Sequence, residues 1–164
     1  MQMSVGVEYA FHSLIYMVDA KVGSTVAIKE LAELNKLSES YLSKIFTKLR
    51  KAGIVRSVSG VNGGYELAKP AGEISFWDVV EAIEGSSYLF QCAEVRQNNI
   101  FVETTKPTPS CPCLIKVVLM NAEDEMRTYL KNKSLAWLHT EVYNSFTAEK
   151  KTAINDWLIR TIQR

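Results

Sequence analysis

Apolar residues recur at three- and four-residue intervals through most of this 164-residue chain and switch to alternation over one short stretch. The first helix is predicted over roughly Ser4 to Ala20. Val7, Phe11, Leu14, Ile15 and Val18 form its stripe, and Ala10 and Met17 widen it. So broad an apolar face predicts contact with two layers. Gly23 and Ser24 break the pattern, and a short helix then turns Ile28, Leu31 and Ala32 inward. The next helix, over 38–51, is well punctuated. Ser38 is a good N-cap, because its hydroxyl can accept from a free backbone N–H in the first turn. Leu37 and Leu42 fit a hydrophobic staple, and Gly53 suits the left-handed position past the C-terminus. Leu42, Ile45, Phe46 and Leu49 must face the core, which leaves Ser40, Tyr41, Ser43, Lys44, Thr47, Lys48 and Lys51 on the outer face.

After Gly53 the period becomes two. Residues 54–58 read as a strand, 59–64 as a turn and 65–67 as the returning strand. Asn62-Gly63 is a hairpin signal, since both positions accept positive φ. Ser75 starts a further helix with Asp78 at its third position. Phe76, Val79, Val80 and Ile83 form its apolar face, and Gly85 ends it. Residues 86–113, with prolines at 107, 109 and 112, read as an irregular connection long enough to hold something. From Leu114 a long helix carries Ile115, Val118, Leu119, Ala122, Met126, Tyr129 and Leu130 in a near-heptad stripe suited to another long helix. Two more amphipathic helices follow, over 135–146 and 148–163.

Two short helices, the second basic, running into a tight hairpin are the layout of a winged helix-turn-helix. The predicted fold is therefore mainly α with a small β-hairpin wing and a long dimerisation helix. It divides into a DNA-binding unit over 1–85, a connecting or sensor loop over 86–113, and dimerisation and C-terminal helices over 114–164. Composition agrees with a soluble globular chain, at 47% hydrophobic and 23% charged residues. No apolar run approaches the roughly 20 residues that span a bilayer. The N-terminus lacks the early positive charge of a secretory signal, so a cytoplasmic home without a membrane partner is expected.

The net charge of +1 is uninformative, but its distribution is not. Residues 36–56 hold six basic residues against one acid, whereas 76–164 hold ten basic and eleven acidic residues. Double-stranded DNA is the partner this cluster predicts. Lys44, Lys48, Lys51 and Arg56 would neutralise phosphates, Ser38, Ser40, Tyr41 and Ser43 would face bases or the sugar–phosphate chain, and Asn62 and Gly63 would carry the wing. An interaction module that holds a protein partner on the same surface is the alternative. An enzyme is not expected: there is no Gly-rich phosphate loop, no Ser/His/Asp set and no complete metal motif.

The chain resembles the Rrf family of bacterial winged-helix regulators, typified by IscR, NsrR and CymR. The matching segments are Glu8–Leu14, Ile28–Ala32, Tyr41–Ile45, Leu49–Val55, Gly60–Leu67 and Asp78–Gly85, in order over the first ~85 residues. The resemblance implies a DNA-binding transcriptional regulator, acting as a dimeric repressor. Its recognition helix would lie at 38–51, its wing at 57–66, and its long helix would pair across a two-fold axis. Family members often carry arginine just before the first wing glycine, where this chain has Ser59.

Three cysteines without framework spacing point to reduced thiols. Cluster-binding members of the family place three cysteines close together in the connection. Here Cys92 stands at the expected start, but Cys111 and Cys113 lie much further on, either side of Pro112. An iron–sulfur cluster, thiol redox sensing by Cys111 and Cys113, and no cysteine function all stay open. Glu8 and His12, four apart on one helical face, could serve one site together, as first-helix ligands do in some family members. His139 has no partner at metal-ligand spacing and reads as a surface residue.

Overall fold

The computed structural model describes residues 3–20, 24–60, 63–86, 88–95 and 112–162. Helix α1 (Val5–Leu14) continues as a 3-10 turn over Ile15–Met17 rather than as one helix to Ala20. Helices α2 (Ile28–Asn35) and α3 (Glu39–Lys51) follow, then strands β1 (Val55–Val58) and β2 (Gly64–Leu67). Helices α4 (Phe76–Glu84), α5 (Leu114–Lys131), α6 (Leu135–Asn144) and α7 (Ala148–Ile162) complete the described chain.

The core gathers the inward stripes of α1 to α4. Leu14, Leu31, Leu42, Phe46, Leu49, Ile54 and Val79 are all fully buried. It does not stop at residue 85. Leu135 of α6 belongs to the same cluster, and Met126, Leu130, Leu138 and Trp157 pack against it. Backbone bonds join the starts of α4 and α6, with Phe76 N–H donating to Lys133 O and Leu135 N–H to Ile74 O, each at 2.8 Å. The C-terminal helices are thus packed onto the winged helix within one protomer.

Helix α5 divides its apolar residues between two roles. Met126 and Leu130 reach the protomer's own core, while Leu114, Ile115 and Val118 are 76%, 66% and 64% exposed. At the division sits a buried ion pair. Arg127 donates to Glu123 at 2.6 and 3.1 Å, and Glu123 also accepts the Leu89 backbone N–H at 2.9 Å. The Arg127 guanidinium lies between the Trp77 and Tyr88 rings, 4.6 and 4.3 Å from their centroids. This arrangement ties α4, the start of the connection and α5 together. Trp77, absent from the predicted apolar face of its helix, belongs to the buried core cluster, with the Arg127 guanidinium over its ring.

His139 is a correction to the sequence expectation. Its Nε2 lies 2.8 Å from Asp19 Oδ2, its side chain is only 17% exposed, and its ring stacks on Tyr143. Sequence spacing could not show this, since the partner is 120 residues away.

Helix α4 begins with a complete capping box: Asp78 N–H donates to Ser75 Oγ at 3.1 Å, and Ser75 N–H donates to Asp78 Oδ2 at 2.8 Å. Burial pushes the Asp78 carboxyl up, but the Ser75 hydrogen bonds and nearby Lys69 outweigh it and hold it below its ordinary value. A carboxyl lowered in the folded state stabilises above its unfolded pKa of ~3.9, and that stabilisation is lost as pH falls through the folded value. Ser75→Ala is expected to cost about 1 kcal/mol in urea unfolding at about pH 7. Asp78→Asn should reduce the stability lost as pH falls from the free carboxyl value of ~3.9 through the lower folded one, in the same urea titrations.

Candidate nucleic-acid interface

The turn between α2 and α3 is three residues long, Lys36 to Ser38. Lys36 takes the left-handed conformation (φ 54°, ψ 43°), which lets Leu37 N–H reach back to Ala32 O at 2.8 Å. Ser38 is the N-cap by backbone geometry, but its hydroxyl makes no capping bond. It pairs instead with Ser40 Oγ at 3.0 Å. At the other end Gly53 (φ 70°) and Ile54 close α3, with Ile54 N–H donating to Leu49 O and Gly53 N–H to Arg50 O, both at 3.0 Å.

Burial of Leu42, Ile45, Phe46 and Leu49 fixes the rotation of α3. With 100° per residue, Ser40, Lys44, Thr47 and Lys51 then form the ridge farthest from the core, about 16 Å long. Ser40, Lys44 and Lys51 are exposed, and Thr47 is half-buried with its hydroxyl donating to Ser43 O at 2.8 Å. Tyr41 and Lys48 lie on one flank and turn toward the protein. The Tyr41 ring meets Tyr9 of α1 edge-on at 5.9 Å. Lys48 Nζ donates to Ile83 O at 2.7 Å, placing its charge at the C-terminus of α4. The adjacent Glu84 carboxyl accepts from both Ser4 N–H and Ser4 Oγ, at 2.8 and 2.6 Å. The Ser4 hydroxyl bond holds Glu84 below its ordinary pKa against a partial burial, with Lys48 adding to the effect. Ser43 and Arg50 occupy the other flank, Arg50 exposed.

The wing is a two-stranded antiparallel hairpin with Arg56 opposite Glu66 and Val58 opposite Gly64. A third backbone segment joins it: Val26 and Tyr65 exchange both hydrogen bonds at 2.9 Å, just before α2. Arg56 Nε donates to Glu66 at 2.7 Å, so the wing's guanidinium already has a carboxylate partner. The turn pivots on Gly60 (φ 126°), whose carbonyl accepts from Gly63 N–H at 2.9 Å. Gly63 does not use positive φ, contrary to expectation. A Cβ there would meet Val58 O and Gly60 O at 2.8 and 2.9 Å. Asn62 lies outside the described residues.

A helical pair, an outward cationic ridge and a hairpin wing set beside it make a surface shaped for duplex DNA. The Rrf2 family model, described as an iron-dependent transcriptional regulator, matches residues 3–141. This chain belongs to the Rrf2 family. YffB of Lactococcus lactis, named among the HTH-type transcriptional regulators, is 37% identical to it over 145 residues, covering 88% of this chain and 91% of the relative. YwgB of Bacillus subtilis, named likewise, is 27% identical over 163 residues, covering 99% and 98%. Staphylococcus aureus CymR in its oxidized form superposes with a TM-score of 0.60 at 30% identity, over 85% of this chain and 96% of that one. T. potens IscR gives a TM-score of 0.66 at 24% identity, over 90% and 93%, a likeness of fold. This Rrf2 protein is a DNA-binding transcriptional regulator.

Sequence reasoning passes over Arg50 as a contact, although the basic run Lys48, Arg50, Lys51 in the last turn of α3 is the available signal. It also counts Lys48 and Arg56 as free cations, and both have protein partners here. Among the described residues of one protomer, no three His, Cys, Asp or Glu side chains assemble as a metal site. Cys92 and Cys113 are half-buried thiols, with Cys92 Sγ 3.6 Å from Glu94, and Cys111 lies outside the described residues. Glu8 and His12 sit 3.9 Å apart on α1, beside a cavity that no described cysteine lines. The described donors therefore do not fit a bound iron–sulfur cluster within one chain.

The Arg56–Glu66 pair makes a test of the wing. Glu66→Gln frees the guanidinium for phosphate, and generic duplex affinity at low salt is expected to rise about two- to fivefold in a gel-shift titration.

Proposed function

We propose that this Rrf2 regulator binds its operator as a homodimer and represses by occupying it. Each protomer sets the Ser40–Lys44–Thr47–Lys51 ridge into the major groove, with the wing against the flanking backbone. The single observation that carries the reading is the orientation of α3, whose apolar residues are all buried while its cationic ridge is exposed. Lys44, Lys51 and Arg50 supply counterion-releasing phosphate contacts. The Ser40 and Thr47 hydroxyls are short donors and acceptors for base edges or phosphates, and Tyr9 of α1 braces the helix at Tyr41.

The uncovered half of α5 supports the dimer. Leu114, Ile115, Val118 and Leu119 expose a contiguous apolar strip that a lone soluble protomer would not present. Pairing this strip with its own copy about a two-fold axis covers it and presents two recognition helices to a near-palindromic site, one helical turn or a multiple apart. The connection over 86–113 precedes this helix in sequence, so a redox or effector response carried by it would act on the proposed dimer contact. Removal of the operator-bound dimer by such a signal would restore transcription.

Two sets of variants check these assignments. Lys44→Ala with Lys51→Ala should weaken binding on every duplex and reduce the salt-dependence slope by roughly 0.9 for each phosphate that is no longer neutralised. Lys48→Ala should instead lower folding stability by about 1 kcal/mol, because its bond to Ile83 is removed, and leave that slope nearly unchanged. An unaltered slope in the double variant overturns the DNA-facing role of the ridge. Val118→Glu should convert the dimer to a monomer in analytical ultracentrifugation with its helical content intact. A native dimer that survives this change would show that α5 is not the contact.

A further inference from the structure

Tyr41 and Lys48 of α3 are gripped by two different helices. The Tyr41 ring meets Tyr9 of α1 at 5.9 Å, and Lys48 Nζ donates to Ile83 O at the end of α4 at 2.7 Å. Their separation in sequence is almost two helical turns, so the grips share one flank of α3 about 10 Å apart. Core burial sets the rotation of this helix, and two holds at that spacing set its tilt.

The gripping helices are themselves tied together. Glu84, next to Ile83, accepts from Ser4 N–H at 2.8 Å and from Ser4 Oγ at 2.6 Å, which joins the end of α4 to the start of α1. The chain is tightly packed at the same point. A Cβ on Gly6 would lie 3.2 Å from Ile83 Cγ2, 3.2 Å from Ser4 Oγ and 3.5 Å from Tyr41 Oη. Three helices therefore converge within the reach of one side chain, and a tie between two of them bears on where the third sits.

Glu84 is exposed and lies outside the buried core. Its carboxylate would repel a phosphate, so direct contact with the DNA backbone is not its role. Reading base edges demands placement within about 0.5 Å and 10–20°, whereas attraction to phosphates acts over a Debye length of about 8 Å. We infer that Glu84 is a positioning residue for operator recognition: by tying the start of α1 to the end of α4, it sets the tilt at which α3 meets base edges. The inference rests on the proposed seating of the α3 ridge in the major groove. It concerns discrimination between sequences rather than attraction to DNA in general.

The test uses a duplex that the wild-type protein selects from a randomised pool, and the same duplex with its bases scrambled. Affinity for each is measured by gel-shift titration of the intact protein at one salt concentration. Their ratio does not depend on the fraction of protein that is folded, so a loss of stability alone leaves it unchanged. Glu84→Ala should lower the ratio about fivefold, through weaker binding of the selected duplex. Glu84→Gln, whose side-chain carbonyl can still accept from Ser4, should keep it within about twofold of wild type. Should Glu84→Ala lose its helical signal, Ser4→Ala takes its place. The Ser4 hydroxyl makes no capping bond in α1, and its removal should lower the ratio about threefold. A wild-type ratio in these alanine variants overturns the inference and leaves the ridge assignment standing. A glutamine variant as poor as the alanine one overturns the hydrogen-bonded tie. A wild-type protein that selects no sequence overturns the ridge assignment itself, and the inference falls with it.

Discussion

The contact between Phe46 and Tyr65 holds the DNA-facing half of this molecule together. Phe46 is fully buried on the inner face of α3, and its ring meets Tyr65 of β2 edge-on at 5.0 Å. Tyr65 in turn exchanges two backbone hydrogen bonds with Val26, immediately before α2. One joint therefore connects the recognition helix, the wing and the helix that precedes them. Edge-to-face aromatic pairs add about 0.5–1.5 kcal/mol to the area they bury, but here their geometry matters more than their energy. The ridge of α3 and strand β2 are joined through this one contact. A surface that must match the curvature of a duplex is thus presented as one piece.

Much of this half is legible from residue spacing. The helical repeat of Leu42, Ile45, Phe46 and Leu49 determines which side of α3 is buried, so the opposite side follows directly. The Ser75–Asp78 box and the left-handed Gly53 are local chemistry, and they stand where the sequence places them. What spacing could not show is pairing between distant segments. Lys48 looks like any surface lysine until the end of α4 comes beside it, 35 residues later in the chain. His139 looks solitary until Asp19 arrives. The hairpin turn illustrates a subtler limit. Three glycines and an asparagine offer several ways to reverse the chain, and the hydrogen bond from Gly63 to Gly60 selects one in which Gly60 carries the positive φ.

The two halves of the molecule meet at Arg127. A buried ion pair contributes little net stability, because desolvation offsets most of the attraction. Its directional bonds still impose geometry. Glu123 accepts from Arg127 and from the Leu89 backbone, while the guanidinium is flanked by rings from α4 and from the connection. The connection thus has its first residues anchored to both neighbouring helices.

That anchor makes α5 behave as a keyed shaft. Its C-terminal half is locked against α4 at Glu123 and Arg127, and the apolar strip from Leu114 to Leu119 projects beyond the lock. Each residue of an α-helix turns the shaft by about 100° and advances it about 1.5 Å. A single residue inserted or removed between Leu119 and Glu123 would swing the strip a quarter-turn or more away from its bearing while leaving every side chain present. The proposed dimer contact therefore depends on the number of residues between strip and lock as much as on the strip's apolar character.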